Sequence, residues 1–158
     1  MQLNYFNRPY FENGAINKIS EVLSTHEIKN PLICSDPGLS SIGMTDKIKS
    51  LISNDTSVSF YGETPANPSE KAVNDALELY KKNGCDGVIG FGGGSSMDLA
   101  KAVALMANHE GELINYSVNE GGYEKITETM PMIAIPTTAG TGSEVSVLSL
   151  IHISEPTR

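Results

Sequence analysis

The chain has 158 residues, of which 39% are hydrophobic and 19% are charged. This is enough for one ordinary domain with a real core and too little for two sizeable ones. Eleven basic residues against nineteen acidic ones give a formal charge of −8. That balance argues against a nucleic-acid partner, which needs a basic patch. It remains compatible with a small anionic ligand, because backbone amides bind anions without lysine.

The sequence shows no targeting or membrane signal. Residues Met1–Phe6 lack a basic start followed by an apolar run, and no apolar stretch approaches the ~18 residues of a membrane helix. Cys34 and Cys85 form no CxxC motif, and each lies beside an apolar stretch. Buried free thiols are therefore expected. These features predict a cytoplasmic protein with no membrane partner.

Short apolar runs alternate with helical patterns along the chain. The runs predict strands at 31–35, 57–61, 87–91 and 132–135. The patterns predict helices at about 16–26, 44–52, 67–82 and 96–107. The polar stretch from about Asn108 to Thr129 is predicted to be a surface excursion. Strands separated by helices in this way favour an α/β fold with a parallel sheet and flanking helices.

Two of these helices have recognisable start signals. Asn67 is expected to cap the third helix, with Pro68 in its first position and Glu70 completing a capping box. Gly84 is expected to end it. In the fourth helix, Ser95 or Ser96 is expected to be the cap.

The segment from Gly90 to Asp98 concentrates the binding chemistry. Its four glycines among five residues let the backbone approach a ligand closely. The helix that follows adds unpaired amides and the positive end of its dipole, which together favour a phosphate or pyrophosphate. The segment departs from G-x-G-x-x-G because position 95 is serine, and it lacks the lysine of a P-loop. The alternative is a tight turn without a ligand.

A second polar segment, Pro136–Glu144, follows the fourth predicted strand. Its hydroxyls and two glycines offer hydrogen-bonding groups at the same edge of the sheet, although an ordinary polar loop would look similar. Asp36 follows the first predicted strand. It either accepts hydrogen bonds from a ribose hydroxyl or serves as a turn residue.

Together these segments resemble the iron-containing alcohol dehydrogenase family. The residues that carry the resemblance are 92–101 and 136–144, together with Asn67-Pro68 and Ser35–Gly38, in the family's order. The resemblance covers about Met1 to Val145. It implies a Rossmann-like NAD(P)-binding domain of the dehydroquinate-synthase type, followed by a helical metal-binding domain that is missing here.

The resemblance also assigns roles by position. Asp36 would contact the adenosine ribose and favour NAD over NADP, and Asn67 would lie near the cofactor cleft. The pyrophosphate would be held by Gly93, Gly94 and Ser95, with Asp98 supporting their loop. Thr137 and Thr138 would line the adenine side, and Thr141 would lie towards the nicotinamide.

No metal ligand or catalytic residue is expected within this chain. In the family, an aspartate and histidines of the helical domain hold Fe²⁺ or Zn²⁺, which polarises the alcohol oxygen. His26, His109 and His152 show no ligand spacing. Near predicted helix ends, His26 and His109 are expected to be exposed or to interact with the helix dipole.

The last residues are expected to differ from the rest. Residues 1–147 would form the NAD(P)-binding domain, and 148–158 resemble translated sequencing-adapter sequence, which predicts a non-native tail. A genuine divergent terminus is the alternative.

The sequence thus predicts the N-terminal fragment of an NAD(P)-dependent, metal-dependent alcohol dehydrogenase. The parent enzyme would be a homo-oligomer that interconverts a small alcohol and its aldehyde. Three alternatives remain: a nucleotide-binding module without catalysis, a non-functional fragment, and a zinc enzyme of the glycerol dehydrogenase type.

Overall fold

The computed structural model describes residues 8–117 and 121–146, in which four parallel strands form one sheet. The strands are β1 (Pro31–Cys34), β2 (Ser59–Tyr61), β3 (Gly87–Gly92) and β4 (Met132–Pro136). Their order across the sheet is β2-β1-β3-β4. All three pairings are parallel, which confirms the predicted α/β fold.

Five α-helices are present among the described residues. They are α1 (Ile19–Thr25), α2 (Pro37–Ser41), α3 (Met44–Ser50), α4 (Glu70–Lys82) and α5 (Gly94–Met106). Short 3₁₀ helices lie at Ala15–Lys18, Leu113–Tyr116 and Gly122–Lys125. Helix α2 is absent from the sequence prediction, because five residues are too few to show a helical period.

The core has two halves, one on each face of the sheet. Successive side chains of a strand point to opposite faces, so Leu32 packs with the half that contains α4 and α5. Ile33 packs with the half that contains α1 and α3. Helices therefore cover both faces, as a parallel sheet requires. Every residue of β3 is buried.

Helix α5 lies very close to β3, and Gly90 makes this possible. A Cβ atom built on Gly90 would lie 3.0 Å from the Met97 Cα and 3.0 Å from the Ala100 Cβ. Those distances leave no room for a side chain without a shift of the helix backbone. Gly90 therefore fixes how deeply α5, and the loop before it, sit against the sheet.

Two predicted helix caps are wrong. Helix α4 begins at Glu70, and its cap is Ser69, whose side chain accepts a hydrogen bond from the Ala72 amide. Asn67 lies two residues too early to reach the first turn. Helix α5 begins at Gly94 with Gly93 in the cap position, so Ser95 and Ser96 lie inside the helix.

The predicted end of α4 is confirmed. Gly84 adopts a left-handed conformation with φ of 62°. The Cys85 amide donates to the Tyr80 carbonyl at 3.0 Å, and the Gly84 amide donates to the Lys81 carbonyl at 3.2 Å. Backbone bonds therefore satisfy the last carbonyls of the helix.

The stretch after α5 is more deeply buried than predicted. Leu113 and Tyr116 are buried in the core half that contains α4 and α5. The Tyr116 hydroxyl donates to the Glu110 carbonyl at 2.7 Å. The surface-excursion prediction is therefore wrong for these residues, because two isolated apolar side chains in a polar stretch show no period that would indicate burial.

The predicted state of the cysteines is confirmed: both are free and buried. No helix of residues 8–117 and 121–146 is long and apolar enough to cross a membrane. The domain limit at 147 and the predicted tail at 148–158 lie outside the described residues, so both stay predictions.

Candidate functional site

The strand order reverses between the carboxyl ends of β1 and β3, and the space beside these two ends is called the cleft below. From β1 the chain passes to β2 on one side, and from β2 it crosses back to β3 on the other side. Ligands of open α/β sheets bind where the strand order reverses in this way. The residues that follow β1 and β3 include Asp36 and the glycine loop, so both predicted segments meet at this point.

Asp36 bridges the two segments. It caps α2, and its Oδ1 accepts a hydrogen bond from the Leu39 amide at 3.0 Å. Its Oδ2 lies 3.1 Å from the position that a Cβ atom would take on Gly92. One carboxylate oxygen is thus held by the backbone, and the other lies next to the glycine loop. Both readings of Asp36, as a turn residue and as a group in the cleft, are compatible with this geometry.

Gly92 ends β3 in a conformation that disfavours other residues. Its φ is 149°, and an added Cβ would lie 2.5 Å from the Ser96 Oγ. Ser96 itself is buried. The chain can therefore make this sharp turn from strand to helix only with glycine at position 92.

Helix α5 begins without a side-chain cap. Gly93 occupies the cap position, and no side chain accepts a hydrogen bond from the first turn. The first amides of a helix carry partial positive charge and need acceptors from outside the helix. Since Gly93 and Gly94 carry no side chains, an anion can approach these amides closely.

The segment after β4 forms the facing wall of the cleft. The Thr137 amide donates to the Gly92 carbonyl at 2.9 Å, which fixes the segment to the end of β3. Thr138 Oγ1 lies 3.5 Å from the Cβ position of Gly93. Further along, Thr141 Oγ1 accepts a hydrogen bond from the Ser143 amide at 3.3 Å.

This wall approaches α5 closely at Gly94. A Cβ atom on Gly94 would lie 2.9 Å from Ser143 Oγ and 3.4 Å from Thr141 Cβ. Ser143 is buried, whereas Thr141 is exposed. The wall therefore contacts the first residue of α5. The side chains of Thr137, Thr138 and Thr141 remain exposed to solvent.

Ser95 connects the glycine loop with the segment between β2 and α4. Its Oγ donates a hydrogen bond to the Ala66 carbonyl. Asn67, the next residue, is exposed at the same edge. The Ser95 hydroxyl is thus engaged by the protein, so any contact of this residue with a phosphate would involve its amide.

Asp98 and Lys101 form an ion pair on the first turns of α5. Lys101 Nζ lies 3.6 Å from Asp98 Oδ1, with both side chains about four-fifths buried. Burial lowers the pKa of Lys101, whereas Asp98 and Glu144 raise it. Lys101 Nζ also donates to the Ser146 carbonyl at 2.6 Å. The Asp98 carboxylate thus faces along the helix and interacts with this ammonium.

Two buried hydroxyls lie next to the cleft. Ser35 is the last residue before Asp36, and its carbonyl accepts a hydrogen bond from the Thr64 amide at 3.1 Å. Both residues are buried. Among residues 8–117 and 121–146, neither Ser35 Oγ nor Thr64 Oγ1 has a hydrogen-bond partner. Such groups cost free energy unless water or a ligand satisfies them.

The structure brings most of the predicted site residues to one edge of the sheet. Contacts join the segments that contain Asp36, Gly93, Gly94, Ser95, Thr137, Thr138 and Thr141. Ser143 and Lys101 lie in the two segments that carry the family resemblance, but the sequence assigned neither residue a role. The Ser146 carbonyl that Lys101 contacts is 45 residues away, and no local pattern indicates such a contact.

The described residues contain no group of three histidine, cysteine, aspartate or glutamate side chains that could hold a metal ion. His26 is exposed at the end of α1, as expected. His109 Nδ1 lies 2.7 Å from the Leu105 carbonyl at the end of α5, which fits the predicted interaction with a helix terminus. His152 lies outside the described residues.

Comparison with known proteins gives a family match over nearly the whole chain. Residues 7–157 match the model of the family described as "Iron-containing alcohol dehydrogenase". The 4-hydroxybutyrate dehydrogenase of Cupriavidus necator is 38% identical over 152 residues, covering 96% of this chain and 40% of that protein. The choline dehydrogenase of Bacillus subtilis is 39% identical over 143 residues, covering 90% of this chain and 36% of that protein.

A solved structure supports the same relationship. The sulfoacetaldehyde reductase of Bifidobacterium kashiwanohense, solved in complex with NAD⁺, is 27% identical with a TM-score of 0.74. The match covers 84% of this chain and 35% of that one. This chain therefore spans between a third and two fifths of the length of these relatives.

Proposed function

The chain belongs to the iron-containing alcohol dehydrogenase family, and on that premise we propose that it is the NAD(P)-binding part of an alcohol dehydrogenase. The observation that carries the proposal is the open start of α5 at the switch point of the sheet. There, uncapped amides, two glycines and Asp36 meet at one cleft.

The residues present fit a nicotinamide dinucleotide. The amides at the start of α5 are suited to the pyrophosphate, because they combine hydrogen-bond donors with the positive end of the helix dipole. The exposed side chains of Thr137 and Thr138 supply hydroxyls along the facing wall. Thr141, further along that wall, would lie towards the nicotinamide.

Asp36 favours NAD over NADP in this proposal. Its Oδ2 lies beside the glycine loop, where it can accept hydrogen bonds from the hydroxyls of an adenosine ribose. The 2′-phosphate of NADP would bring negative charge close to this carboxylate, and like charges at short distance repel. Asn67, exposed next to the Ala66 carbonyl that Ser95 binds, would border the same cleft.

When bound, the nicotinamide supplies the chemistry by accepting a hydride from an alcohol or returning it to an aldehyde. This chain's residues would hold the dinucleotide and orient it. Asp98 would support the loop indirectly, through its ion pair with Lys101.

The described residues do not provide a metal site, so we derive no catalytic step through a metal here. We propose that Fe²⁺, or Zn²⁺, is held in the whole protein by a helical domain outside the described residues. We also propose that the whole protein is a homo-oligomer acting on a small alcohol or aldehyde. The relatives' names differ in substrate, from 4-hydroxybutyrate to choline.

A second candidate function is dinucleotide binding without catalysis. It is favoured by the presence of the cofactor cleft and the absence of a metal-ligand cluster among residues 8–117 and 121–146. Under this proposal, the 158-residue chain would bind NAD(H) but would not oxidise an alcohol.

Two measurements on the 158-residue chain test these proposals. Calorimetric titration with NAD⁺, NADH and NADP⁺ should show saturable binding, with NAD⁺ favoured over NADP⁺. NADH formation from small alcohols in the presence of Fe²⁺ or Zn²⁺ should be absent for this chain and present for a longer protein that includes the helical domain. A folded chain that binds none of the three dinucleotides would overturn both candidate functions.

A further inference from the structure

We propose that Asn13 is a site of spontaneous deamidation, at which the chain slowly converts its own asparagine into aspartate and isoaspartate. The site lies in the turn before α1 and is independent of the proposed function. The proposal rests on a comparison of the chain's two Asn-Gly pairs, 13–14 and 83–84. Both pairs are exposed, but the fold holds them very differently.

The reaction needs only the two residues of such a pair and water. The Gly14 backbone nitrogen bonds to the side-chain carbonyl carbon of Asn13, and the side-chain nitrogen leaves as ammonia with the proton of the Gly14 amide. Water then opens the resulting cyclic imide. Opening at the side-chain carbonyl gives aspartate, and opening at the backbone carbonyl gives isoaspartate, whose peptide bond runs through the side chain. Glycine favours the first step, because it has no Cβ atom to shield its nitrogen.

The turn at residues 12–15 leaves both reacting groups accessible. The Ala15 amide donates to the Glu12 carbonyl at 3.2 Å, and Gly14 has φ of 78° and ψ of 14°. These are the features of a type II turn with glycine in its third position. Within the described part of the chain, neither the Asn13 side chain nor the Gly14 amide forms a hydrogen bond. No other contact therefore restrains the nitrogen and the carbon that must meet.

The second pair is fixed at the end of α4. Asn83 Nδ2 donates to Ser59 Oγ at 3.0 Å, and the Asn83 carbonyl accepts a hydrogen bond from Asn30 Nδ2 at 2.7 Å. The Gly84 amide donates to the Lys81 carbonyl at 3.2 Å. The group that would leave and the nitrogen that would attack are thus both already bonded. Deamidation of Asn83 therefore requires the end of α4 to open first.

Deamidation at position 13 would change the contacts that attach the preceding residues to the first helical turn. Lys18 Nζ lies 2.5 Å from Glu12 Oε1 and 5.5 Å from the centroid of the Tyr10 ring. Either product places a new negative charge next to Glu12. Isoaspartate also lengthens the backbone inside the turn that joins Glu12 to Ala15. We therefore expect the isoaspartate form to lose this turn, which presents Glu12 to Lys18.

The test incubates the wild-type chain at neutral and at alkaline pH, both in native buffer and in urea. Peptide mapping by mass spectrometry measures the deamidated fractions of Asn13 and Asn83 in the same sample. Isotopically labelled water marks each carboxylate that forms by ring opening, and electron-based fragmentation distinguishes isoaspartate from aspartate. Asn83 is the internal control, because its pair has the same two residues and is also exposed.

In native buffer, Asn13 should deamidate more than about tenfold faster than Asn83, because the bonds to Ser59 Oγ and to the Lys81 carbonyl must break before Asn83 can react. Isoaspartate should form together with aspartate, since both arise from one ring. In urea the two rates should approach each other, because no folded structure then restrains either pair.

Equal rates at Asn13 and Asn83 in the native chain would overturn the proposal. Reaction of Asn13 in urea but not in native buffer would overturn it as well, because the folded turn would then protect the pair. Aspartate without isoaspartate would rule out the ring mechanism on which the proposal depends.

Asn13→Asp separates the effect of the new charge from that of the lengthened backbone. It carries the same added charge as the isoaspartate form, but its backbone is unaltered. In hydrogen–deuterium exchange, the Ala15 amide should exchange faster in the purified isoaspartate form than in Asn13→Asp, because only the former loses the bond to the Glu12 carbonyl. Equal exchange in the two proteins would contradict the expected loss of the turn.

Discussion

Helices α4 and α5 both follow a parallel strand and begin at the same edge of the sheet, yet their starts differ. Ser69 closes the start of α4, because its side chain accepts a hydrogen bond from the Ala72 amide at 3.2 Å. The start of α5 has Gly93 in that position and no side-chain cap. A side chain thus satisfies one helix start, whereas the other is left open to an external acceptor.

The two helices also differ in how firmly the sheet holds them. Nine of the thirteen residues of α5 are buried, against five of the thirteen in α4. Gly90 brings α5 within contact distance of β3. The open helix start therefore belongs to the more deeply buried of the two helices, and such packing helps to keep its amides in place without a ligand.

The largest expected effect comes from filling the open start. Gly94→Val places a side chain against Ser143 Oγ, which lies 2.9 Å from the Cβ position. It should displace the threonine wall, cover the amides and weaken NAD⁺ binding by ~100-fold or more, the cost of about two charge-assisted hydrogen bonds. Calorimetric titration measures this change.

A glycine at the far end of α4 provides the control. Gly84 has φ of 62° with open space at its Cβ position, so Gly84→Ala should lower stability by ~1 kcal/mol through backbone strain. Its affinity for NAD⁺ should be unchanged. An equal loss of affinity in both glycine variants would contradict the special role of the α5 start.

A smaller effect is expected from Asp36→Asn. Asparagine can still cap α2 through the Leu39 amide, so the variant removes the charge while keeping the local structure. Relative affinity for NADP⁺ over NAD⁺ should rise by about tenfold, because one repulsive contact with the 2′-phosphate is lost. Parallel titrations with the two cofactors measure the ratio. An unchanged ratio would show that Asp36 does not face the ribose.

The capped helix start can be tested in the same way, because Ser69→Ala removes the cap of α4. It should lower the free energy of unfolding by ~1 kcal/mol, the usual cost of a lost N-cap, as measured by urea denaturation. NAD⁺ affinity should be that of the wild type, because the Ser69 side chain is bonded to the Ala72 amide of its own helix. A clear loss of affinity in the folded variant would place α4 in the binding site.

The smallest effect is expected from Tyr80→Phe in α4. Burial raises the pKa of Tyr80 from its ordinary value of 10.0 to about 12. Ionisation is therefore easier in the unfolded chain, and wild-type stability should fall as pH rises from 10 to 12. Tyr80→Phe should show less of this loss in denaturation at several pH values. Near pH 7 the substitution should change the free energy of unfolding very little, since the Tyr80 hydroxyl has no hydrogen-bond partner among the described residues.

The helix starts show where sequence reasoning succeeded and where it failed. The glycine run between a buried strand and a buried helix indicated the place where a strand turns sharply into a helix, but the missing side-chain cap of that helix was not predicted. The caps were misplaced by two or three residues, because Asn67, Ser69, Ser95 and Ser96 are all chemically able to cap a helix. Only the path of the backbone decides which of them reaches the first-turn amides.

In the helices and the segments between them, burial was predictable where apolar residues form a period. In α4 the apolar residues Ala72, Val73, Ala76, Leu77 and Tyr80 recur at helical spacing in the sequence, and all five are buried. Leu113 and Tyr116 are buried without any such period, because the chain happens to pass over the core there. The short helix α2 was missed for the same reason, since five residues hold little periodic information.

The sequence by itself determined the alternation of strands and helices, the parallel sheet, and the two motifs that define the family. These depend on local periodicity, on glycine content and on residue order. The tertiary structure alone decided the strand order β2-β1-β3-β4, and with it the meeting of Asp36 with the glycine loop. It also decided the contact between Lys101 and Ser146. Contacts between residues so far apart depend on how the strands pair, and a local sequence pattern does not predict which distant residue it will contact.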